Sequence, residues 1–213
     1  MSNIKKFLIE NKFYETVSLD RFEKLLMQLE IFKSIKNIKG CIIEFGIFRG
    51  NSFIRFMLFN KIYNFKKKFY GFDTFKEFPK GKNYFDNLQR DKFTKSAGTS
   101  SINKLSLNRI LKKKKLTNFT LIKGDVLATL PEFIRENKNL QISLINLDLD
   151  LYEPSKIVLE SLYPRLSKNG IIILDNYKTF YGETKAVNEF CKKHKIKLQK
   201  FKLLNKKTFI IKK

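Results

Sequence analysis

The sequence predicts an α/β fold with a mostly parallel, seven-stranded sheet and helices on both faces. Three observations lead to this prediction. Short apolar runs of strand length alternate with segments of helical periodicity, as they do in βαβ units. Acidic side chains follow successive strands directly, for example Asp148 and Asp175. The last two apolar runs, 196–201 and 208–211, have only a short turn region at Asn205-Lys206 between them, which predicts an antiparallel C-terminal hairpin.

Length and composition predict one domain. The chain has 213 residues, 43% of them hydrophobic, which is enough for a single domain 1–213 with a sizeable core. No apolar run reaches the roughly 18 residues of a membrane span. The first residues carry charge too early for a signal peptide. We therefore expect a cytoplasmic protein with no membrane span.

An amphipathic helix is predicted over residues 18–36, at the N-terminal side of the first strand. Ser18 is a residue type favoured at helix N-caps, and apolar side chains follow at helical spacing. This apolar stripe covers either the chain's own sheet or a partner subunit, so a homodimer is a possible state. The stripe consists of Phe22, Leu25, Leu26, Leu29 and Phe32.

The other elements alternate along the chain. Between residues 74 and 99 the regular pattern fails, and a loop of this length inside a compact domain is typical of a lid or an acceptor-binding loop. The predicted strands are 41–45, 69–73, 119–123, a run from 143, and 170–175, and the predicted helices are 51–60, 100–113, 131–136, 154–166 and 184–193.

Two strand ends carry the strongest sign of a site. The run from Ser143 ends in the alternating carboxylates Asp148 and Asp150, which share one face while the strand lasts. The next strand ends in Asp175 and Asn176. Carboxyl ends of parallel strands meet at one edge of the sheet, where open α/β folds bind ligands. Three carboxylates and an amide there suit a hard cation.

The first strand opens into a glycine turn, Glu44-Phe-Gly46-Ile-Phe48-Arg-Gly50-Asn-Ser52. Backbone N–H groups of such a turn can approach a ligand at a helix start. The GxGxxG fingerprint of dinucleotide binding is not present, which argues against an NAD-type domain. A carboxylate before the glycine suits a ligand that carries an ammonium group. A purely structural strand–helix turn is the alternative.

Acidic residues also end the second and third strands. Asp73 can accept both hydroxyls of a ribose, and Asp125 can meet an adenine amine, although each alone is equally a cap or turn former. Together with the glycine turn, they outline an adenosine-bearing ligand across the sheet edge.

Motifs spread over residues 41–190 resemble those of one family. They are Glu44-x-Gly46-x-x-Arg49-Gly50-x-Ser52, Gly71-Phe-Asp-Thr-Phe75 with Pro79, Lys123-Gly-Asp125 with Leu130-Pro131, Leu147-Asp-x-Asp-Leu-Tyr152, Leu162-Tyr-Pro-Arg-Leu166, and Asp175-x-Tyr177 with Lys185-Ala-Val187 and Glu189-Phe190. The set resembles the macrocin-type sugar O-methyltransferases, Rossmann-like class I enzymes that use S-adenosylmethionine and magnesium.

The resemblance implies roles for individual residues. Asp150 would be the general base, and Asp148, Asp175 and Asn176 would hold Mg²⁺, with Asn176 standing where the family pattern has a second Asp. The acceptor would be a hydroxyl of a small molecule or glycan. The implied S-adenosylmethionine site comprises Glu44, Gly46, Phe48, Gly50, Ser52, Asp73, Thr74, Asp125 and Val126.

The net charge of +24 raises a competing hypothesis, a nucleic-acid-binding protein or nucleic-acid methyltransferase. Only seven of the 44 basic residues are Arg, the residue favoured for bidentate contacts. The Lys clusters, 66–68, 112–115 and 192–195, end widely separated segments. Nucleic acid is therefore the less favoured partner.

Overall fold

The computed structural model describes residues 2–201 and 204–213, and these form a layered α/β structure. The strands are β1 (Cys41–Phe45), β2 (Phe69–Asp73), β3 (Phe119–Lys123), β4 (Ile142–Leu147), β5 (Leu166–Leu174), β6 (Gln199–Phe201) and β7 (Leu204–Ile211). The helices are α1 (Asn3–Thr16), α2 (Leu19–Ser34), α3 (Asn51–Tyr63), α4 (Tyr84–Ala97), α5 (Lys104–Lys113), α6 (Val126–Glu136), α7 (Tyr152–Leu162) and α8 (Tyr181–Lys193).

The sheet confirms the predicted architecture. Its order is β3-β2-β1-β4-β5-β7-β6. Strands β1 to β5 pair in parallel, whereas β7 is antiparallel to both β5 and β6. The chain reverses its direction of winding between β1 and β4, so their carboxyl ends border the crevice in which such folds bind ligands.

Helices cover both faces of the sheet, as predicted. On one face, β1 and β4 pack with α6, α7 and α8 through side chains such as Phe133, Leu159 and Phe190. On the other face, α2, α3 and α5 contribute Phe32, Phe56 and other apolar side chains. Burial on both faces explains why β4 lacks the apolar–polar alternation of a half-exposed strand, and its two polar residues, Ser143 and Asn146, are buried as well.

The loop prediction for residues 74–99 is wrong in one respect, because α4 lies within it. Asn83 caps this helix by accepting a hydrogen bond from the Asp86 N–H at 2.9 Å. Polar contacts help to attach α4: Asp86 accepts from the Tyr152 N–H at 2.9 Å, and the Arg90 side chain donates to the Phe78 carbonyl. The α4 sequence therefore shows only a weak apolar stripe, which is the pattern from which a helix is usually predicted.

Smaller differences concern element ends. The α6 helix begins at Val126, earlier than the predicted start at residue 131, because Asp125 caps it. The Asn205-Lys206 turn prediction is also wrong, since both residues belong to β7. Helix α1 was not predicted. In the described part of the chain, no helix has the length and apolar character needed to cross a membrane.

The predicted α2 helix is confirmed, with Ser18 at its N-cap, but its buried face differs from the predicted stripe. Met27, Gln28, Ile31 and Phe32 are buried, whereas Leu26 is 40% exposed. Phe32 stacks on Phe65 with ring centroids 4.9 Å apart. The helix thus covers the chain's own core, and a homodimer stays a prediction.

Candidate active site

A cavity of about 1040 Å³ lies at the carboxyl edge of the sheet. The glycine turn after β1 and the ends of β2, β4 and β5 border it, and α2 lies alongside. All of the predicted site residues except Glu44 and Gly50 line the cavity. The lining residues among them are Gly46, Phe48, Ser52, Asp73, Thr74, Asp125, Val126, Asp148, Asp150, Asp175 and Asn176.

Gly46 allows the ends of β1 and β4 to approach closely. Its φ is +79°, and a Cβ built there would lie 1.8 Å from the Asp148 carbonyl oxygen. Its N–H donates to the Phe72 carbonyl at 3.0 Å, and the Asp148 N–H donates to the Phe45 carbonyl at 3.1 Å. Backbone of three strand ends therefore meets at a point that admits only glycine.

Glu44 and Ser52 form a pair beneath the cavity. The Ser52 hydroxyl donates to Glu44 Oε1 at 2.5 Å, while Oε2 of this buried residue lacks a partner among the described residues. Burial raises the pKa of Glu44 to about 8, although the Ser52 hydrogen bond opposes the rise. Gly50, the N-cap of α3, has a φ of +84° and faces Leu107.

Asp73 joins the end of β2 to the glycine turn. Its Oδ2 accepts from the Phe48 N–H at 2.9 Å, and its Oδ1 accepts from the Phe75 N–H at 2.6 Å. The Oδ2 atom keeps a second lone pair for a ligand hydroxyl. Thr74 adds a hydroxyl 3.4 Å from Asp73 Oδ1. The side chain is thus oriented by backbone donors on two segments.

Asp125 caps α6 and also lines the cavity. Its Oδ1 accepts from the Leu127 N–H at 2.9 Å, and Val126 beside it is buried against the sheet. The cap explains the position of this carboxylate fully, so a second role in ligand binding remains a prediction.

The carboxylates after β4 converge on one amide. The strand ends at Leu147, before both of them, so strand alternation does not bring them together as the spacing predicts. Instead, Asp150 adopts a left-handed conformation with a φ of +64°. The Asn176 Nδ2 donates to Asp148 Oδ1 at 2.6 Å and also to Asp150 Oδ1. Asp148, Asp150 and Asn176 are therefore neighbours.

This cluster is rich in buried acidic groups. Burial, followed by the charge of Asp175, raises the pKa of Asp148 to about 7. Burial and then Asp148 raise the pKa of Asp150 well above its ordinary value. Behind them, buried Glu183 accepts from the Asn176 N–H at 2.9 Å, and burial followed by Asp150 raises its pKa as well. A cation added beside these carboxyl groups would favour their ionised forms.

Lys24 and Glu183 belong to the site but were missed in the sequence. The Lys24 ammonium lies 2.6 Å from Asp175 Oδ2 and 3.9 Å from Asp148 Oδ2. A signal existed: Lys24 shares a helical face with buried Gln28, four residues later, and Ile31. Glu183 gave no comparable signal, because an acidic residue in the first turn of a helix is common.

Aromatic rings form a wall of the cavity near α4. Phe93 on α4 contacts Phe48, Phe78 and Phe180, with ring centroids 5.6, 5.9 and 6.1 Å apart, and all four rings line the cavity. The predicted acceptor region thus contributes an apolar surface beside the carboxylates. Phe93 and Phe180 lie outside the motifs from which the site was predicted.

The chemistry of the acidic cluster fits a hard cation, although its present arrangement is not a metal cage. Asp148, Asp150 and Asp175 offer carboxylate oxygens, and the Asn176 amide could present its carbonyl oxygen after rotating about its terminal torsion. Within residues 2–201 and 204–213, no three His, Cys, Asp or Glu side chains are spaced to hold a metal. The Lys24 ammonium occupies part of the space between the carboxylates.

Two of the Lys clusters lie away from the cavity. Lys61 donates to the Lys114 carbonyl at 3.1 Å, and the Asn118 side chain donates to the Lys66 carbonyl at 3.4 Å. These segments precede β2 and β3, at the amino edge of the sheet. Lys67 within them is buried and donates to the Ile38 carbonyl at 2.6 Å. This positive surface therefore does not lead into the cavity.

The strand order, the antiparallel last strands and a cavity over β1 and β4 define a class I methyltransferase fold. A profile of the family described as Macrocin-O-methyltransferase (TylF) matches residues 14–210. The chain belongs to this family, and it is an S-adenosylmethionine-dependent O-methyltransferase. No curated protein sequence matches it significantly.

Solved structures support the fold assignment. The calicheamicin methyltransferase CalS11 superimposes with a TM-score of 0.82 at 24% identity, covering 99% of this chain and 86% of that one. Its apo structure, described as a TDP-rhamnose 3'-O-methyltransferase, superimposes with a TM-score of 0.74 at 24% identity, covering 99% of this chain and 87% of that one. The O-methyltransferase NovP superimposes with a TM-score of 0.76 at 19% identity, covering 89% of this chain and 79% of that one.

Proposed function

We propose that this enzyme transfers the methyl group of S-adenosylmethionine to a hydroxyl of a sugar or glycan-like acceptor, with the help of magnesium. The observation that carries the proposal is the meeting of Asp148, Asp150 and Asn176 at the cavity that contains the glycine turn. Family membership supports the same reaction.

The donor would lie across the ends of β1, β2 and β3. Asp73 would accept the ribose hydroxyls, and Asp125 would meet the adenine amine. Glu44 lies under the glycine turn, paired with Ser52, and would supply a buried acidic group to the ammonium of the methionine part. Gly46, Phe48, Gly50 and Ser52 shape this turn, and Thr74 and Val126 flank the two aspartates.

The metal would be held by Asp148, Asp175 and Asn176. Bound there, magnesium would orient an acceptor hydroxyl and lower its pKa. Asp150 would accept the proton of that hydroxyl, since it lies beside the proposed metal ligand Asp148 on the same amide. The acceptor oxygen would bond to the methyl carbon as the carbon–sulfur bond breaks, which would leave S-adenosylhomocysteine.

The acceptor would rest against the aromatic wall of Phe48, Phe78, Phe93 and Phe180. Flat apolar rings beside a polar catalytic group suit the mixed faces of a sugar ring. CalS11 is described as acting on TDP-rhamnose, which makes a nucleotide-linked deoxysugar the first acceptor to try. Two of the three Lys clusters, 66–68 and 112–115, lie away from the cavity, which disfavours nucleic acid as the acceptor.

The test is a methyl-transfer assay with isotopically labelled S-adenosylmethionine. Acceptors would include nucleotide-linked sugars, free glycosides, and RNA and DNA as competing classes. We expect label in a sugar, dependent on Mg²⁺ and lost with excess chelator. Asp91→Asn, at an exposed residue of α4 paired with Arg90, is the control variant. Label in nucleic acid and in none of the sugars would contradict the proposal.

A further inference from the structure

We propose that Lys24 is an internal cation that competes with the divalent metal for Asp148 and Asp175, and so sets the metal affinity of the site. The inference rests on the metal site of the proposed function. Its central observation is an ion pair between residues 151 positions apart in the chain.

Lys24 lies where a metal ion would need to be. Its ammonium is 2.6 Å from Asp175 Oδ2 and 3.9 Å from Asp148 Oδ2. Its side chain is 13% exposed, and that of Asp175 is 6% exposed. An ion coordinated by Asp148 and Asp175 together would meet this ammonium directly, since positive charges repel strongly where little water screens them.

The charges explain why the lysine is retained there. Burial disfavours the charged ammonium, but its ion pairs with the carboxylates of Asp175 and Asp148 offset this cost. Glu44, Asp150 and Glu183 add further acidic groups to the same cluster, and the Arg55 charge acts on Glu44 and Asp175. Lys24 therefore compensates the cluster in the absence of metal, and metal binding must break its ion pair.

The anchoring of α2 allows the side chain to withdraw while the helix stays in place. Met27, Ile31 and Phe32 are 1%, 3% and 0% exposed in the core. The helix also contacts α3, where Arg55 donates to Gln28. The lysine ammonium is carried on a flexible four-carbon stem, so a rotamer change can release the carboxylates. The competition thus requires a side-chain movement only.

The test measures binding of Mn²⁺ or Mg²⁺ alone by calorimetry, without donor or acceptor. Lys24→Met should bind the metal about tenfold or more tightly than wild type, because no ion pair must be broken. Lys24→Arg keeps the charge and should bind weakly, like wild type. Lys33→Met is the matched control on the same helix, since Lys33 pairs with exposed Glu30 at 3.0 Å, and it should change nothing.

A second measurement uses the wild-type chain, and so does not depend on a variant's folding. Acylation of lysines, mapped by mass spectrometry, should modify Lys24 slowly without metal and faster with Mg²⁺, while Lys33 reacts equally in both conditions. Equal or weaker metal binding by Lys24→Met, or a Lys24 reactivity that metal leaves unchanged, would overturn the inference.

These results are separable from those of the proposed function. Metal-dependent methyl transfer by wild type, combined with unchanged metal affinity in Lys24→Met, would overturn the competition alone. Tighter metal binding in Lys24→Met, combined with no transfer to any sugar, would support the competition and contradict the acceptor class. Methyl transfer that persists in chelator and is lost in Lys24→Met would overturn the inference, because Lys24 would then replace the metal.

Discussion

The Asn176 side-chain nitrogen donates to Asp148 at 2.6 Å and to Asp150 as well. One neutral amide therefore holds two carboxylates beside each other at the end of β4. An aspartate at position 176 would place a third negative charge against them, at a cost that rises in a buried site. The amide therefore allows Asp148, the proposed metal ligand, and Asp150, the proposed base, to lie beside each other.

Gly46→Ala should disrupt the site more than the glycine-to-alanine substitution Gly98→Ala does. Its Cβ would lie 1.8 Å from the Asp148 carbonyl oxygen, which is backbone and cannot move aside. We expect a loss of more than about 3 kcal/mol in unfolding free energy and loss of donor binding. Gly98→Ala is the matched control, because its φ is +84° but the nearest atom is the end of the Arg49 side chain at 3.3 Å. Its cost should be only about 1 kcal/mol. Equal losses in chemical denaturation would contradict the close approach.

Asp73→Ala should weaken S-adenosylmethionine binding by about 1–3 kcal/mol, because ribose hydroxyls would lose their acceptor. The substitution also removes the bonds to the Phe48 and Phe75 N–H groups, so some loss of stability is expected. Calorimetric titration below the melting temperature separates the two effects. A folded variant with unchanged donor affinity would remove Asp73 from the site.

Glu44→Gln should change how stability depends on pH. The pKa of Glu44 is about 8 in the folded state and near 4.5 as a free side chain. The contribution of Glu44 to folding stability is therefore fully present below the free-side-chain pKa, and it is lost as pH rises through the folded-state pKa. Between about pH 5.5 and about pH 7.5, wild type should lose about 1.4 kcal/mol per pH unit relative to Glu44→Gln. Urea unfolding at several pH values measures this difference. Exposed Glu30→Gln is the control, and parallel stability curves for wild type and Glu44→Gln would refute the burial effect.

Phe93→Ala should raise the acceptor KM roughly tenfold and leave donor affinity nearly unchanged, since a buried aromatic contact contributes on the order of 1 kcal/mol beyond its area. Phe85→Ala on the same helix is the control, because Phe85 is 53% exposed and contacts Tyr181 outside the cavity wall. Steady-state kinetics with the acceptor found in the transfer assay provides the measurement. A larger effect of Phe85→Ala would show that the acceptor lies elsewhere.

The sheet was predictable because its signals are local. Each parallel strand is a short apolar run followed by a polar turn, and β1 to β5 all lie where these runs occur. Helix α4 was not predictable in the same way, since Asp86 and Arg90 attach it through polar bonds to distant backbone. Helix α1 buries none of its residues within the described part of the chain, so no apolar stripe marks it.

The carboxylate cluster was predictable as a group, but its contacts were not. Strand ends in a parallel sheet must meet at one edge, which predicted that Asp148, Asp150 and Asp175 lie close together. The positive φ of Asp150 and the bridging amide of Asn176 depend on the loop after β4. Lys24 joins the cluster only because α2 docks at one particular rotation, which tertiary packing decides.

Two neighbouring carboxylates should behave differently if one binds metal and the other accepts the proton. Asp148→Ala should lower Mg²⁺ affinity and activity together. Asp150→Asn should keep metal and donor binding, because Asn tolerates the left-handed conformation that Asp150 adopts. Loss of the base should also flatten the rise of rate with pH.

The most direct test is the rate of methyl transfer by Asp150→Asn with saturating donor, metal and acceptor. The proposed mechanism predicts a rate lower by roughly a hundred- to ten-thousandfold, with metal and donor affinities close to those of wild type. Transfer at the wild-type rate by this variant, or undiminished transfer by wild type in excess chelator, would contradict it.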